Sequence, residues 1–215
     1  DLPDVWEDST AVLTLSENAL HATVVRDRKY RFVGARCGNL DDVMMYLATC
    51  NALIVDIRDN GGGLVTSAEQ LAARFTNEER LVGYMQHKTG KGRNDFSKMA
   101  EQRLKPSKGL RWQKRVAVLT NRAVYSAANE FVKYMKCFPN VIVVGDRTGG
   151  GAGMPFSSEL PNGWSVRFSA SPHFDKNKQP LEEGIEPDIA INMSESDQLK
   201  HKDTLIEKAF EILSE

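Results

Sequence analysis

The chain has 215 residues, a formal net charge of −1 and 41% hydrophobic residues, which fits a globular domain that buries a sizeable core. This charge gives no electrostatic basis for binding nucleic acid or an anionic membrane surface, and no apolar run approaches the ~20 residues that span a bilayer. Cys37, Cys50 and Cys137 indicate neither a disulfide framework nor a metal site. Asp1 is not a natural start, so we expect a mature form or part of a longer protein whose targeting region has been removed.

The first fifty residues predict three short strands and one helix. Residues 1–10 are acidic and irregular, and the strands are expected at Ala11–Leu15, His21–Val25 and Tyr30–Val33. An amphipathic helix is predicted over Asn39–Cys50, with Asn39 as its N-cap. Its buried face should carry Val43, Met44 and Leu47.

A buried strand, a glycine turn and a helix follow. The strand Ala52–Ile57 ends in a turn over Asp59–Gly63, and the helix Leu64–Phe75 begins directly after it. Another strand is predicted at Arg80–Gln86. The polar stretch His87–Gln113 shows little periodicity, and its length indicates either a mobile or a functional loop.

The segment Val116–Phe131 (VAVLTNRAVYSAANEF) is the centre of the chain. Its first residues predict a strand buried on both faces, and a helix is expected over Ser126–Lys136. Ser126 therefore lies where a strand passes into a helix, next to free N–H groups and the positive end of the helix dipole. It is either an N-cap or a nucleophile whose neighbouring Ala127 amide faces an oxyanion.

The last third of the chain continues the alternation. A buried strand, Val141–Val144, runs into the glycine-rich turn Gly145–Gly153. Pro161-Asn162-Gly163 separates two alternating segments, Phe156–Leu160 and Trp164–Ala170, which predicts a hairpin. An amphipathic helix is expected at Asp203–Leu213. Buried strands that alternate with helices predict an α/β fold with a largely parallel sheet.

Three turns carry the unusual chemistry, and they follow three of the predicted strands. These are Asp59–Gly63, Asn121–Ala127 and Gly145–Gly153. In a parallel sheet the carboxyl ends of the strands form one edge, so the turns could meet at one site. Gly61–Gly63 either supplies one arm of an oxyanion hole or only makes a tight turn before the helix. No GxxxxGK[ST], GxSxG or HExxH motif is present, which argues against a P-loop, an α/β-hydrolase and a metal site.

Four motifs in this order resemble the serine peptidases of the C-terminal processing (tail-specific) type, and within them the branch similar to the tricorn protease core. They resemble the family's DLRxNxGG, NxxxxSAxE, GxxTxG and G[VI]xPD motifs. In this chain they are IVDIRDNGGGL (Ile54–Leu64), NRAVYSAANE (Asn121–Glu130), GDRTGGG (Gly145–Gly151) and GIEPD (Gly184–Asp188).

The resemblance implies a ClpP/crotonase-like core of stacked ββα units with an added β-hairpin. It implies that Ser126 attacks a peptide carbonyl and that the amides of Gly62 and Ala127 hold the oxyanion. It implies no cofactor and no metal. We expect residues 36–215 to form the catalytic core, and residues 1–35 to be a lead-in with short strands, the remnant of a linker after a missing PDZ or N-terminal region.

This chain differs from the processing enzymes that use a lysine as the general base. Gly151 stands at the position of that lysine, and Arg147 is too basic to take its place. In the tricorn-like branch a histidine upstream of the PDZ domain is the base, with a glutamate near the G[VI]xPD turn. We therefore expect the base to come from a histidine upstream of this chain, and either Glu182 or Glu183 to be its acidic partner. His173 is the local alternative, although a surface-loop histidine is the simpler interpretation.

Three further residues leave an alternative open. Glu130 lies one helical turn after Ser126 and either orients the site or only favours the first turn of the helix. Asp56, in a buried strand, needs a partner such as Arg58 or Arg147. Tyr125 either shapes a substrate pocket or packs in the core.

Three functions compete at this stage. The first is a serine endopeptidase that acts on extended or C-terminal polypeptide segments through an acyl-enzyme, and this chain alone could be inactive. The second is a non-catalytic peptide-binding or ligand-binding module on the same fold. The third, an acyl-CoA enzyme of the crotonase type, is disfavoured by Ser126 at the helix junction. The family resemblance predicts a periplasmic or secreted, envelope-associated setting, a polypeptide substrate, no nucleic-acid partner and an oligomer as an option.

Overall fold

The computed structural model describes residues 10–16, 19–26, 29–33, 40–48 and 50–215. Within them the strands are β1 (Thr10–Ser16), β2 (Ala19–Arg26), β3 (Lys29–Val33), β4 (Ala52–Asp56), β5 (Arg80–Met85), β6 (Ala100–Leu104), β7 (Arg115–Thr120), β8 (Val141–Gly145), β9 (Phe156–Glu159), β10 (Ser165–Phe168), β11 (His173–Phe174) and β12 (Ile189–Ala190). The helices are α1 (Leu40–Leu47), α2 (Val65–Ala72), α3 (Ala127–Met135), α4 (Glu195–Leu199) and α5 (Thr204–Ser214), with a 3-10 turn over Ala73–Phe75.

A seven-stranded sheet forms the centre of the fold, in the order β12-β8-β7-β4-β1-β2-β3. The strands from β12 to β1 run parallel to their neighbours, and β2 and β3 continue the sheet antiparallel. The predicted α/β class with a largely parallel sheet is confirmed. Strand β1 pairs directly with β4, so the N-terminal strands belong to the same sheet as the strands of the predicted core.

Alternate residues of the central strands pack into two different hydrophobic cores. Leu53 and Val55 of β4 pack into the core under α1, α2 and α3, whereas Ile54 between them packs into the core under α5. This is the two-residue period of a strand that is buried on both faces. The predicted inner face of α1 is confirmed, because Val43, Met44 and Leu47 are all buried.

Two smaller sheets lie beside the central one. Strand β5 pairs with β6 and β11. Strand β6 lies within His87–Gln113, which was expected as a mobile or functional loop, so this stretch is not a loop throughout. The sequence of β6, AEQRL, exposes most of its side chains, which explains why it carries no apolar signal. The predicted hairpin is confirmed as β9 and β10, with Phe156 opposite Phe168.

The helix bounds agree with the sequence to within a few residues. Helix α3 begins at Ala127, directly after Ser126, and Asp203 caps α5 through its side chain. The short helix α4 was not expected. The Asn39 N-cap, Cys37 and the predicted domain boundary after residue 35 lie outside the described residues.

Candidate active site

Ser126 occupies the junction between β7 and α3 in a strained backbone conformation. Its φ is 56° and its ψ is −123°, a combination that residues with a side chain rarely adopt. The residue stands at the N-cap position, but its side chain accepts no hydrogen bond from the helix. The hydroxyl is therefore not used as a cap. Backbone strain of this kind typically costs about 1–3 kcal/mol and is found most often at functional sites.

Backbone hydrogen bonds bring the three predicted turns together at Ser126. The Ser126 N–H donates to the Gly150 carbonyl (2.8 Å), and the Tyr125 N–H donates to the Asn60 carbonyl (3.0 Å). The expectation that these turns meet at one edge of the sheet is confirmed. The serine backbone is therefore fixed from both sides before any substrate arrives.

The glycine turn lies directly against the serine. A Cβ placed on Gly62 would lie 2.6 Å from the Tyr125 carbonyl oxygen, 2.8 Å from the Ala127 nitrogen and 2.8 Å from the Ser126 Cβ. Gly62 also has a φ of +105°. Only glycine fits this close approach, which places the Gly62 backbone beside the first N–H of α3.

The backbone N–H groups next to Ser126 differ in whether they have a hydrogen-bond acceptor. The Gly62 N–H donates to the Asn60 Oδ1 at 2.9 Å. Among the described residues, the N–H groups of Gly63 and Ala127 have no acceptor. The Ala127 amide is therefore ready to bind an anion, whereas the Gly62 amide becomes available only if the Asn60 side chain turns away. The sequence did not single out Asn60, although an asparagine two residues before a glycine is typical of a turn that bonds its own backbone.

We expect Gly62→Ala to abolish the reactivity of Ser126 while the protein still folds. The added methyl group collides with backbone atoms on both sides of the serine, so one of the two turns has to shift. Loss should reach about 100-fold or more in labelling by a serine-directed probe, the scale of a lost oxyanion donor. Gly163→Ala is the control for backbone strain, because Gly163 lies outside the cavity next to Ser126 and also has a positive φ, +83°, but open space at its Cβ. Equal loss in both variants would contradict this account.

Ser126 opens onto a cavity of about 790 Å³, which we call the serine cleft. It is lined by Gly61, Gly62, Gly63, Tyr125, Ser126, Gly151, Pro155, Arg167, Phe168, Ser169 and Glu182. No histidine or lysine is among these lining residues.

The structure places Glu182 and Glu183 differently. Glu182 lines the serine cleft, and its Oε1 accepts a hydrogen bond from the Ser169 hydroxyl at 3.1 Å. The Gly151 N–H donates to the Glu182 carbonyl at 3.0 Å, which holds this residue against the glycine run. The side chain of Glu183 is 91% exposed and lies 3.7 Å from Arg147. Of the two candidates, only Glu182 shares a cavity with Ser126.

His173 is buried, not in a surface loop as the simpler interpretation expected. It lies in β11 with 3% of its surface exposed, and its Nδ1 is 2.9 Å from the Glu130 Oε1. Its Nε2 is buried and has no hydrogen-bond partner among the described residues. Because β11 pairs with β5, the histidine points into the core beneath α3. His173 is not among the residues that line the serine cleft.

Glu130 is the centre of a buried polar cluster one turn below Ser126. Its carboxylate bonds His173 and Lys133, and the Tyr134 hydroxyl lies 3.3 Å away. Burial by itself would raise the pKa of Glu130, but the hydrogen bond from His173 and the charge of Lys133 hold it below its ordinary value. Burial lowers the pKa of Lys133 despite the nearby carboxylate. The Glu130 N–H also donates to the Ser126 carbonyl at 3.0 Å, which ties the cluster to the serine.

The other two open assignments are settled by position. Arg58 pairs with Asp56 at 2.6 Å and also with Asp203 at 2.7 Å, so Arg58, not Arg147, neutralises the buried strand carboxylate. Tyr125 is 47% exposed and lines the serine cleft, which makes the core-packing interpretation wrong. The sequence also gave no signal for Ser169 or Arg167, because both enter the cleft from the hairpin side.

No group of three metal-ligating side chains occurs in the part of the chain that the structure describes. In the same part, no helix is long and apolar enough to cross a membrane.

The strain at Ser126 predicts a stability difference between two variants of this residue. The free energy of unfolding of Ser126→Gly should be about 1 kcal/mol higher than that of Ser126→Ala, because glycine tolerates a positive φ and alanine does not. Urea denaturation of both variants measures this difference. An alanine variant that is as stable as the glycine variant would show that the serine backbone is not strained.

The chain is similar to several known proteins. Residues 31–191 match Peptidase family S41. A probable CtpA-like serine protease of Staphylococcus epidermidis is 27% identical over 141 residues, which cover 65% of this chain and 27% of that protein. The crystal structure of a candidate peptidase from Parabacteroides merdae superposes with a TM-score of 0.83 at 45% identity, over 94% of this chain and 66% of that one.

A more distant structure shares the fold alone. The photosystem II D1 C-terminal processing protease superposes with a TM-score of 0.53 at 12% identity, over 82% of this chain and 56% of that one. The chain thus spans about a quarter of its curated relative and about two thirds of the Parabacteroides protein. The resemblance to C-terminal processing peptidases is confirmed at the level of the family: the chain belongs to peptidase family S41.

Proposed function

We propose that this chain forms the catalytic core of a serine endopeptidase that hydrolyses extended polypeptide segments, with Ser126 as the nucleophile. The observation that carries the proposal is the position of Ser126: strained, not used as a cap, open to a cleft and followed by the free Ala127 N–H. The family membership supports a peptidase, and the name of the curated relative, a probable CtpA-like serine protease, supports a serine as the nucleophile.

In the proposed mechanism the Ser126 Oγ attacks the scissile carbonyl, and the Ala127 amide holds the oxyanion that forms. The second donor is an amide of the glycine turn: Gly62 once Asn60 releases it, or Gly63, which is already free. The amine then leaves, an acyl-enzyme remains, and water hydrolyses it.

We propose that the base is a histidine that a segment of the same protein outside these 215 residues brings to the serine cleft. Two observations support this origin. The cleft lining includes no histidine or lysine, and His173, which lies near α3, is bonded to Glu130 in the core. Glu182, held by Ser169, is the proposed acidic partner of that base. In the full-length protein, kcat/KM should rise with pH through an apparent pKa near that of histidine, about 6.5.

A fluorophosphonate probe tests the function directly. The full-length protein should become labelled at Ser126, and Ser126→Ala should lose the label. Absence of labelling in the full-length protein would favour the second candidate, a peptide-binding module on the same fold. That candidate is supported by the absence of a histidine or lysine from the cleft lining.

The PDZ region, the oligomeric state and the envelope-associated setting remain predictions.

A further inference from the structure

The ring of Tyr125 lies flat on the backbone of the glycine run that follows β8. A Cβ placed on Gly151 would lie 2.0 Å from the Tyr125 Cζ and 2.4 Å from both Cε atoms. A Cβ on Gly149 would lie 3.3 Å from the Tyr125 Cδ2. The ring therefore occupies the space that a side chain at position 151 would need, so it can lie here only while residue 151 is glycine.

The backbone beneath the ring is fixed on both sides. Tyr125 forms an isolated parallel bridge with Gly150. Its N–H donates to the Asn60 carbonyl, and its carbonyl accepts from the Ala128 N–H at 3.1 Å. The ring thus has a defined place next to the nucleophile, and little conformational entropy remains to be lost when a ligand packs against it.

The outer part of the ring belongs to an apolar wall of the serine cleft. Tyr125 is 47% exposed, and no hydrogen bond of its hydroxyl occurs within the described residues. Pro155 and Phe168 line the same cleft. Phe168 is itself held by Phe156, with ring centroids 4.1 Å apart in an edge-to-face arrangement. The cleft therefore offers a preformed apolar surface beside Ser126.

We propose that Tyr125 is a specificity-determining residue, and that the substrate carries a large apolar side chain, leucine or an aromatic residue, next to the scissile bond. The proposal rests on the proposed peptidase function. Packing of that side chain on the ring removes apolar surface from water, and this favours a large apolar side chain over a small one.

The first test compares peptides that differ at one residue. Two sets of internally quenched peptides carry Leu, Phe, Ala or Asp, one set just before the cleaved bond and the other just after it. In one of the two sets, the full-length protein should cleave the Leu and Phe peptides at least about tenfold faster than the Ala peptide, measured as kcat/KM. Tyr125→Ala should reduce this preference to less than about threefold, mostly through KM.

The matched control is Trp164→Ala. It removes an exposed aromatic residue from the tip of the β9–β10 hairpin, which also carries Phe168, but this residue lies outside the cleft. It should leave the preference intact. A preference that survives Tyr125→Ala, or no preference in either set, would overturn the proposal.

The second test uses the collision itself. Gly151→Ala should drive the ring into the cleft and lower kcat/KM at least about tenfold for every peptide, and a second change, Tyr125→Ala, should restore the rate of Tyr125→Ala alone. Gly163→Ala controls for backbone strain, because Gly163 has a similar φ of +83° but open space at its Cβ, whereas Gly151 has a φ of +71°. Failure of the second change to restore the rate would show that ring and glycine are not coupled.

These tests separate the two proposals. If the full-length protein is not labelled by a fluorophosphonate and cleaves no peptide, the peptidase function fails. If it is labelled and cleaves all the peptides alike, only the role of Tyr125 fails.

Discussion

Ser126→Ala is expected to lower peptide hydrolysis by the full-length protein about 10⁴-fold or more, with the fold intact. The reason is that no other hydroxyl in the described part of the chain combines a place at the start of a helix, a free neighbouring amide and an open cleft. The Ser169 hydroxyl also lines the cleft, but it donates to Glu182. The measurement is kcat/KM on an internally quenched peptide, with circular dichroism to check folding.

The control is Ser158→Ala, because Ser158 is an exposed serine of β9 that does not line the cleft. It should keep the full rate. A Ser126→Ala variant that retains more than about a tenth of the activity would identify another nucleophile and end the present assignment.

Glu130→Ala is expected to reduce the free energy of unfolding by about 3–5 kcal/mol, a large part of what a domain of this size has. The substitution leaves Lys133, whose side chain is 1% exposed, without its buried counter-charge. It also removes the hydrogen-bond partner of the His173 Nδ1. The other ring nitrogen, Nε2, has no partner among the described residues, so the buried imidazole would lose its last hydrogen bond. Urea denaturation measures the change.

An exposed pair on the same chain provides the control. Lys208 and Glu211 form the same kind of ion pair at the same spacing of three residues on α5, but their side chains are 31% and 61% exposed. Glu211→Ala should change the stability by less than about 1 kcal/mol. If the two alanine variants lose similar amounts, the buried cluster contributes no more than a surface pair.

The same cluster predicts how stability depends on pH. The pKa of Glu130 in the folded protein lies below its ordinary value of 4.5, so the unfolded chain takes up the proton first as the pH falls. The stabilisation is therefore complete above pH 4.5 and is lost as the pH falls through the lower folded value. Lys133, His173 and the Tyr134 hydroxyl all face this carboxylate. Glu130→Gln should lose this part of the acid sensitivity.

The sequence predicted the framework of the site because the framework depends on local patterns. Buried runs such as Val116–Leu119 identify central strands, and the parallel arrangement then places the turns after β4, β7 and β8 at one edge. The position of Ser126 at the start of α3 was predicted because the sequence changes there from a strand pattern to a helix pattern. These features need only the order of residues along the chain.

What the sequence could not predict depends on contacts between distant segments. His173 appears in a polar stretch, yet the pairing of β11 with β5 buries it against Glu130, 43 residues away. Glu182 and Glu183 are neighbours in the chain, and only the fold shows that Glu182, whose carbonyl accepts from the Gly151 N–H, lines the cleft. Tyr125 looks like a core aromatic until the glycines beneath its ring are seen in place.

The most direct measurement is a crystal structure of the full-length protein after reaction with a fluorophosphonate. We expect a covalent bond to the Ser126 Oγ, with the phosphoryl oxygen about 2.7–3.1 Å from the Ala127 nitrogen and from one nitrogen of Gly62 or Gly63. An adduct on another residue, or a phosphoryl oxygen that faces away from both amides, would contradict it.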